Sequence, residues 1–164
     1  TCVFVRRIQE RAREYHEKGY QIVLLGDKSH PEIKGVNGWC GDSAIITDGA
    51  EKVDLSAFGK VLVMFQTTFN HLFAEEALGN LLTDGVKTLV VFNTICYTTI
   101  GRQNFAHTIP KMCDFTIVVG DKLSSNSNKL LEIARNSGGS AVLIENASEI
   151  SDLSQYEKIK FLPG

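Results

Sequence analysis

The chain has 164 residues, 17 Lys plus Arg against 19 Asp plus Glu, a net charge of −2, and a 43% hydrophobic fraction with 22% charged. A chain of this size buries roughly 70% of its unfolded surface, so its core needs neither disulfides nor a structural metal. The near-neutral balance leaves no basic footprint for nucleic acid, and apolar runs of about five residues fall far short of the ~20 that span a bilayer.

In chain order, apolar Val5, Ile8, Ala12 and Tyr15 recur at three- and four-residue steps through residues 6–18, with Gly19 as the stop, which predicts an amphipathic helix. Residues 21–25 read as a short buried strand that ends in the turn-rich Gly26-Asp27-Lys28-Ser29-His30-Pro31. Residues 33–56 are less regular, with a strand expected at 43–47 and turn signals at Asn37-Gly38 and Asp48-Gly49. The strand, loop, helix unit then repeats: strand 61–65 and helix 70–82, strand 88–92 and helix 101–109, strand 115–119 and helix 125–136, then strand 141–144. Near-continuous apolar strands alternating with helices predict an α/β fold with mainly parallel sheets covered on both faces. The expected organisation is two small three-layer α/β/α domains, residues 1–94 and 95–164, with the seam near 93–96.

Ligands of open α/β sheets gather beyond the carboxyl ends of the strands. That rule selects His30 and Glu32, Gln66-Thr67-Thr68, Cys96, and Ser124-Ser125-Asn126-Ser127-Asn128. The serine and asparagine row begins a predicted helix, where unpaired amides and a partial positive charge suit a phosphate or diphosphate. One such residue is expected as an ordinary cap; a row of them fits an anion site or a solvated turn. His30 and Glu32 fit an anion-binding imidazole beside a proton-carrying carboxylate, or a loop contact and a surface charge. Thr67 and Thr68 fit a ligand hydroxyl or a helix cap.

The four cysteines include no C-x-x-C pair, which fits a reducing compartment. Cys2, at the head of the first helix, and Cys96, at a strand end, fit metal ligands or inert buried thiols; Cys40 and Cys113 fit the latter better. His16, His71 and His107 lie in helical stretches and read as structural or solvated. The chain opens without Met and without a secretory signal, so an internal start and a cytoplasmic protein are expected.

Taken together, Thr1-Cys2, His30-Pro31-Glu32, Gln66-Thr67-Thr68, Ile95-Cys96 with Arg102-Gln103, and residues 124–128 resemble, in order and spacing, the LytB/IspH family of 4-hydroxy-3-methylbut-2-enyl diphosphate reductases. The resemblance runs along the whole chain. It implies a three-domain α/β trefoil that holds a [4Fe–4S] cluster on three cysteines and reductively removes the hydroxyl of an allylic diphosphate, giving isopentenyl and dimethylallyl diphosphate. On this resemblance Cys2 and Cys96 are cluster ligands, Glu32 is the proton donor, Thr67 positions the hydroxyl-bearing end, and His30, Ser124, Ser125 and Asn126 hold the diphosphate. A reduced ferredoxin or flavodoxin is the implied electron donor.

The family's first cluster cysteine and two further histidines would precede Thr1, and a serine motif would follow Gly164. Val3 stands where the family often has Pro, and Leu123 where Asn is common. The chain is therefore expected to represent the second and third domains, to hold no cluster by itself and to be inactive alone. Two other readings stand beside it: a non-redox diphosphate-binding module built on residues 124–126, and a cysteine-nucleophile enzyme built on Cys96 with His30.

Overall fold

The computed structural model describes residues 2–82, 84–150 and 152–164; Thr1 of the Thr1-Cys2 pair lies outside them. The chain divides into two compact units, Thr1–Cys96 and Tyr97–Gly164. Among the described residues no helix is long and apolar enough to cross a membrane.

The first unit contains helix α1 (Val3–Glu17), strand β1 (Gln21–Leu25), helix α2 (Pro31–Gly38), strands β2 (Ile45–Thr47) and β3 (Lys60–Phe65), helix α3 (Ala74–Gly79) and strand β4 (Thr88–Phe92). Its sheet has the order β2-β1-β3-β4 and every pairing is parallel. Ile8 and Ala12 of α1 and Ile33 and Val36 of α2 cover Ile22, Leu24, Leu62 and Met64. The alternate residues Val23, Leu25, Val61, Val63 and Phe65 are also buried, so β1 and β3 are apolar without interruption. Edge strand β4 instead exposes every second residue, Leu89 and Val91.

The second unit contains helix α4 (Tyr97–Thr108), strand β5 (Phe115–Val119), helix α5 (Ser125–Asn136), and strands β6 (Ser140–Ile144) and β7 (Ile159–Pro163). Its sheet is parallel, in the order β6-β5-β7. Ala106 of α4 and Leu130 and Ile133 of α5 pack together on Val118, Leu143 and Leu162, so both helices share one side of the sheet.

The structure departs from the sequence reading at three elements. His30-Pro31-Glu32, expected in a loop, begins α2: His30 is its N-cap and Pro31 its first residue, where a missing N–H costs nothing and φ is already helical. The helix expected over 70–82 is a tight 3₁₀ turn at His71–Phe73 followed by the six residues of α3. Strand β7 was not foreseen.

Candidate functional site

In the first unit the loops after β1, β3 and β4 meet at Thr67. One carboxylate oxygen of Glu32 accepts the Thr67 N–H at 2.7 Å, and the other accepts the Thr67 hydroxyl at 2.6 Å. The second distance lies in the range of a hydroxyl donating to a carboxylate. The Thr67 carbonyl accepts the Cys96 N–H at 2.9 Å. Three polar groups of one residue thus join an acid on α2 to the cysteine that follows β4. Two residues further back on each segment, Thr94 fastens the same loops, its hydroxyl accepting the Phe65 N–H at 2.8 Å and donating to the Phe65 carbonyl.

Helix geometry explains how Glu32 gets there. The Nδ1 of His30 accepts the Glu32 N–H at 3.2 Å, satisfying one of the amides left open at the start of α2. With Nδ1 accepting, the ring proton sits on Nε2, which is the donor edge available to a ligand. Asp27 holds the approach to the helix: its carboxylate accepts the amide and the hydroxyl of Ser29, each at 2.7 Å, and its carbonyl accepts the His30 N–H at 3.0 Å. The Ser29 hydroxyl, followed by its amide, holds the Asp27 carboxyl below its ordinary range.

All four cysteines are free thiols. Cys2 caps α1 from an extended backbone and is exposed, whereas Cys96 is half-buried. Cys40 is fully buried, its Sγ donates to the Asn37 carbonyl at 3.2 Å, and burial pushes its thiol up, which suits an inert core position. Cys113 in the second unit donates to the Ile109 carbonyl at 3.3 Å. Among the described residues no group of three or more His, Cys, Asp or Glu side chains is placed to hold a metal ion. Cys2 and Cys96 are the two thiols that the family resemblance assigns to an iron–sulfur cluster, which on that resemblance takes three.

In the second unit the serine and asparagine row separates into distinct jobs. The Ser124 hydroxyl caps α5 by accepting the Ser127 N–H at 3.3 Å. Ser127 is 1% exposed and fills a notch between two strand ends: a Cβ at Gly120 would lie 2.4 Å from its Oγ, and one at Gly164 2.5 Å. Asn128 ties back to the Lys122 and Ser124 carbonyls at 2.6 and 2.9 Å. Local structure thus accounts for Ser124, Ser127 and Asn128. Ser125 and Asn126 remain half-buried in the first turn of α5, and the Asn126 amide oxygen is buried without a hydrogen-bond donor. A buried polar atom left open where amides converge suits a polar ligand. His16 and His107 make surface contacts, such as that of His107 Nδ1 with the Ser137 hydroxyl at 3.0 Å.

Sequence reasoning passed over Thr94 and gave Gln66 no role. A buried glutamine ends β3, and a polar residue closing an apolar strand was the available signal.

The model of the family described as "LytB protein" matches residues 1–162. The 4-hydroxy-3-methylbut-2-enyl diphosphate reductase of Clostridium tetani is 42% identical over the whole chain, which covers 26% of that relative. The reductase of the same name from Caldanaerobacter subterraneus subsp. tengcongensis is 43% identical over 92% of this chain and 52% of its own. Among solved structures, the E-1-hydroxy-2-methyl-but-2-enyl-4-diphosphate reductase from Plasmodium falciparum superposes with a TM-score of 0.88 at 25% identity, over the whole of this chain and 54% of that one. The structure of (E)-4-hydroxy-3-methyl-but-2-enyl diphosphate reductase, described as the terminal enzyme of the non-mevalonate pathway, superposes with a TM-score of 0.57 at 28% identity, over the whole of this chain and 60% of that one. The chain therefore spans from about a quarter to somewhat over half of the proteins it matches.

Proposed function

This chain belongs to the LytB family, and we propose on that premise that it supplies part of a cytoplasmic reductase that removes the hydroxyl of 4-hydroxy-3-methylbut-2-enyl diphosphate. The balance is simple: substrate, two electrons and two protons give water and isopentenyl or dimethylallyl diphosphate. When bound, an iron–sulfur cluster supplies the electrons, taken from a reduced ferredoxin or flavodoxin. Two of its thiolates would be Cys2 and Cys96, and the third has to come from outside residues 1–164.

The observation that carries this reading is the Thr67 junction. A leaving hydroxyl departs as water only if an acid delivers a proton to it, and Glu32 is an acid linked to Cys96 by hydrogen bonds through Thr67. Thr67 donates its hydroxyl hydrogen to Glu32 here; delivery of a proton to the leaving hydroxyl reverses this bond, with a protonated Glu32 donating to the Thr67 oxygen and Thr67 donating to the substrate oxygen. His30 Nε2 offers a donor to a diphosphate oxygen, and Ser124, Ser125 and Asn126 offer hydroxyls, an amide and the N-terminus of α5.

The test is an anaerobic assay of the intact protein with the allylic diphosphate and a reduced one-electron donor. Formation of both isoprenoid diphosphates, abolished in Glu32→Gln, is the expected result. Full turnover in Glu32→Gln would remove Glu32 from the chemistry.

A further inference from the structure

Gln66 is 3% exposed, yet it stands at the end of a strand whose preceding five residues are all apolar and buried. Burying a carboxamide is unfavourable unless its hydrogen bonds are replaced, and an apolar side chain would fill the same space without that demand. The bonds it makes are directed. Its oxygen accepts the Asp27 N–H at 2.9 Å, its nitrogen donates to the Thr68 hydroxyl at 3.0 Å, and its backbone N–H donates to the Leu25 carbonyl at 2.8 Å. The side chain therefore spans from the loop after β1 to the loop after β3.

Both loops lead to the Thr67 junction. Asp27 anchors the turn that becomes α2, through the Ser29 amide and the His30 amide, and Glu32 lies in the first turn of that helix. Thr67 and Thr68 directly follow Gln66. Gly26 completes the arrangement, because a Cβ there would lie 2.7 Å from the Gln66 Oε1, 2.8 Å from its Cβ and 2.8 Å from the Cδ1 of Ile33 on α2. Glycine at 26 is what admits glutamine at 66.

We propose that Gln66 is a positioning residue, which holds the start of α2 against residues 66–68 so that Glu32 meets the amide and hydroxyl of Thr67. The Glu32–Thr67 contact alone joins two segments that are 35 residues apart. With Gln66 it becomes one of two polar ties, which fix the start of α2 beside the packing of Ile33 and Val36 on the core. Its value for catalysis rests on the reading of Glu32 and Thr67 as the proton relay; its geometric effect does not.

The test uses the intact protein and two variants, Gln66→Ala and Gly26→Ala, with Gln66→Glu as the conservative replacement. Hydrogen exchange at the Thr67 amide reports the Glu32 contact without any assay of turnover. In Gln66→Ala the Thr67 amide is expected to exchange about tenfold faster, as fits the loss of one net hydrogen bond's worth of restraint. The amides of residues 61–64 are expected to keep their protection. Gly26→Ala, whose methyl group would crowd both Gln66 and Ile33 at the start of α2, should reproduce this. Gln66→Glu, which keeps an acceptor for the Asp27 N–H, should restore most of the protection. If the protein is the proposed reductase, kcat falls about tenfold in Gln66→Ala and KM rises by no more than about threefold, because His30 shifts with the start of α2 whereas Ser124, Ser125 and Asn126 do not. Unchanged Thr67 exchange in both alanine variants, or a loss spread evenly along β1 and β3, would overturn the proposal. Absence of reductase activity in the unsubstituted protein would instead overturn the functional reading, and the exchange data would still decide the role of Gln66.

Discussion

The carboxylate of Glu32 takes both donors of Thr67, the amide at 2.7 Å and the hydroxyl at 2.6 Å, across a separation of 35 residues. A residue that merely capped a helix would need one of them. Replacing Thr67 with Val keeps the shape and removes the hydroxyl, so Glu32 keeps the amide and loses its link to substrate. Turnover of the intact protein should fall by about 10²- to 10⁴-fold, the usual range for one proton-transfer group. Thr67→Ser should retain most of it. Steady-state rates beside thermal melting separate the two effects; a Thr67→Val protein that turns over normally shows that the hydroxyl carries no proton.

The two candidate ligand thiols differ in setting from the other two, and this gives a prediction about iron. Cys96 follows β4 and is tied to Thr67, while Cys40 is buried with its thiol pushed up by desolvation. Anaerobic iron and sulfide analysis of the intact protein should show Cys96→Ser losing most of its iron and Cys40→Ser losing none. The 164-residue chain alone should bind no stable cluster, since only two of its four cysteines, Cys2 and Cys96, are candidate ligands where three are needed. A full iron complement in Cys96→Ser would reassign that thiol.

Local chemistry explains what could be read in advance. Strands β1 and β3 announce themselves because both faces are buried and every position must be apolar. Helix α2 is hidden because it has eight residues and includes Gly35, Asn37 and Gly38, which signal turns; only Pro31 pointed to it. Strand β7 is hidden at a sheet edge behind Lys160 and Pro163. The site residues were legible one by one. Their pairing was not, because a hydrogen bond between Glu32 and Thr67 leaves no trace in the spacing along either segment.

Asp27 predicts an acid-sensitive step. Its carboxyl is held below the ordinary value by the Ser29 hydroxyl and amide, so its contribution to folding is complete above about pH 4, the value of an unfolded aspartate. That contribution disappears as pH falls through the lower, folded value. The chain has one tryptophan, Trp39, which caps the C-terminus of α2 and reports on this region by fluorescence. Urea midpoints of the intact protein, followed at Trp39 from about pH 6 to about pH 2.5, should fall more gently in Asp27→Asn than in the unsubstituted protein. Parallel curves would show that Asp27 gains nothing from its capping bonds.

The notch that receives Ser127 makes the proposed anion site of the second unit sensitive to a single methyl group. In Gly120→Ala the new Cβ would lie 2.4 Å from the Ser127 Oγ, and Gly164 closes the other side, so α5 has to shift at its N-terminus. Overpacking of this kind costs about 1–3 kcal/mol. The same shift moves Ser125 and Asn126, which stand in the first turn of α5. Calorimetric titration of the intact protein with inorganic pyrophosphate should therefore show severalfold weaker binding in Gly120→Ala. Removing the hydroxyl in Gly120→Ala with Ser127→Ala should recover much of the loss, giving a coupling of about 1 kcal/mol or more between the two positions. If Gly120→Ala binds pyrophosphate as tightly as the unsubstituted protein, the anion does not depend on where α5 begins, and the serine row is only the start of a helix.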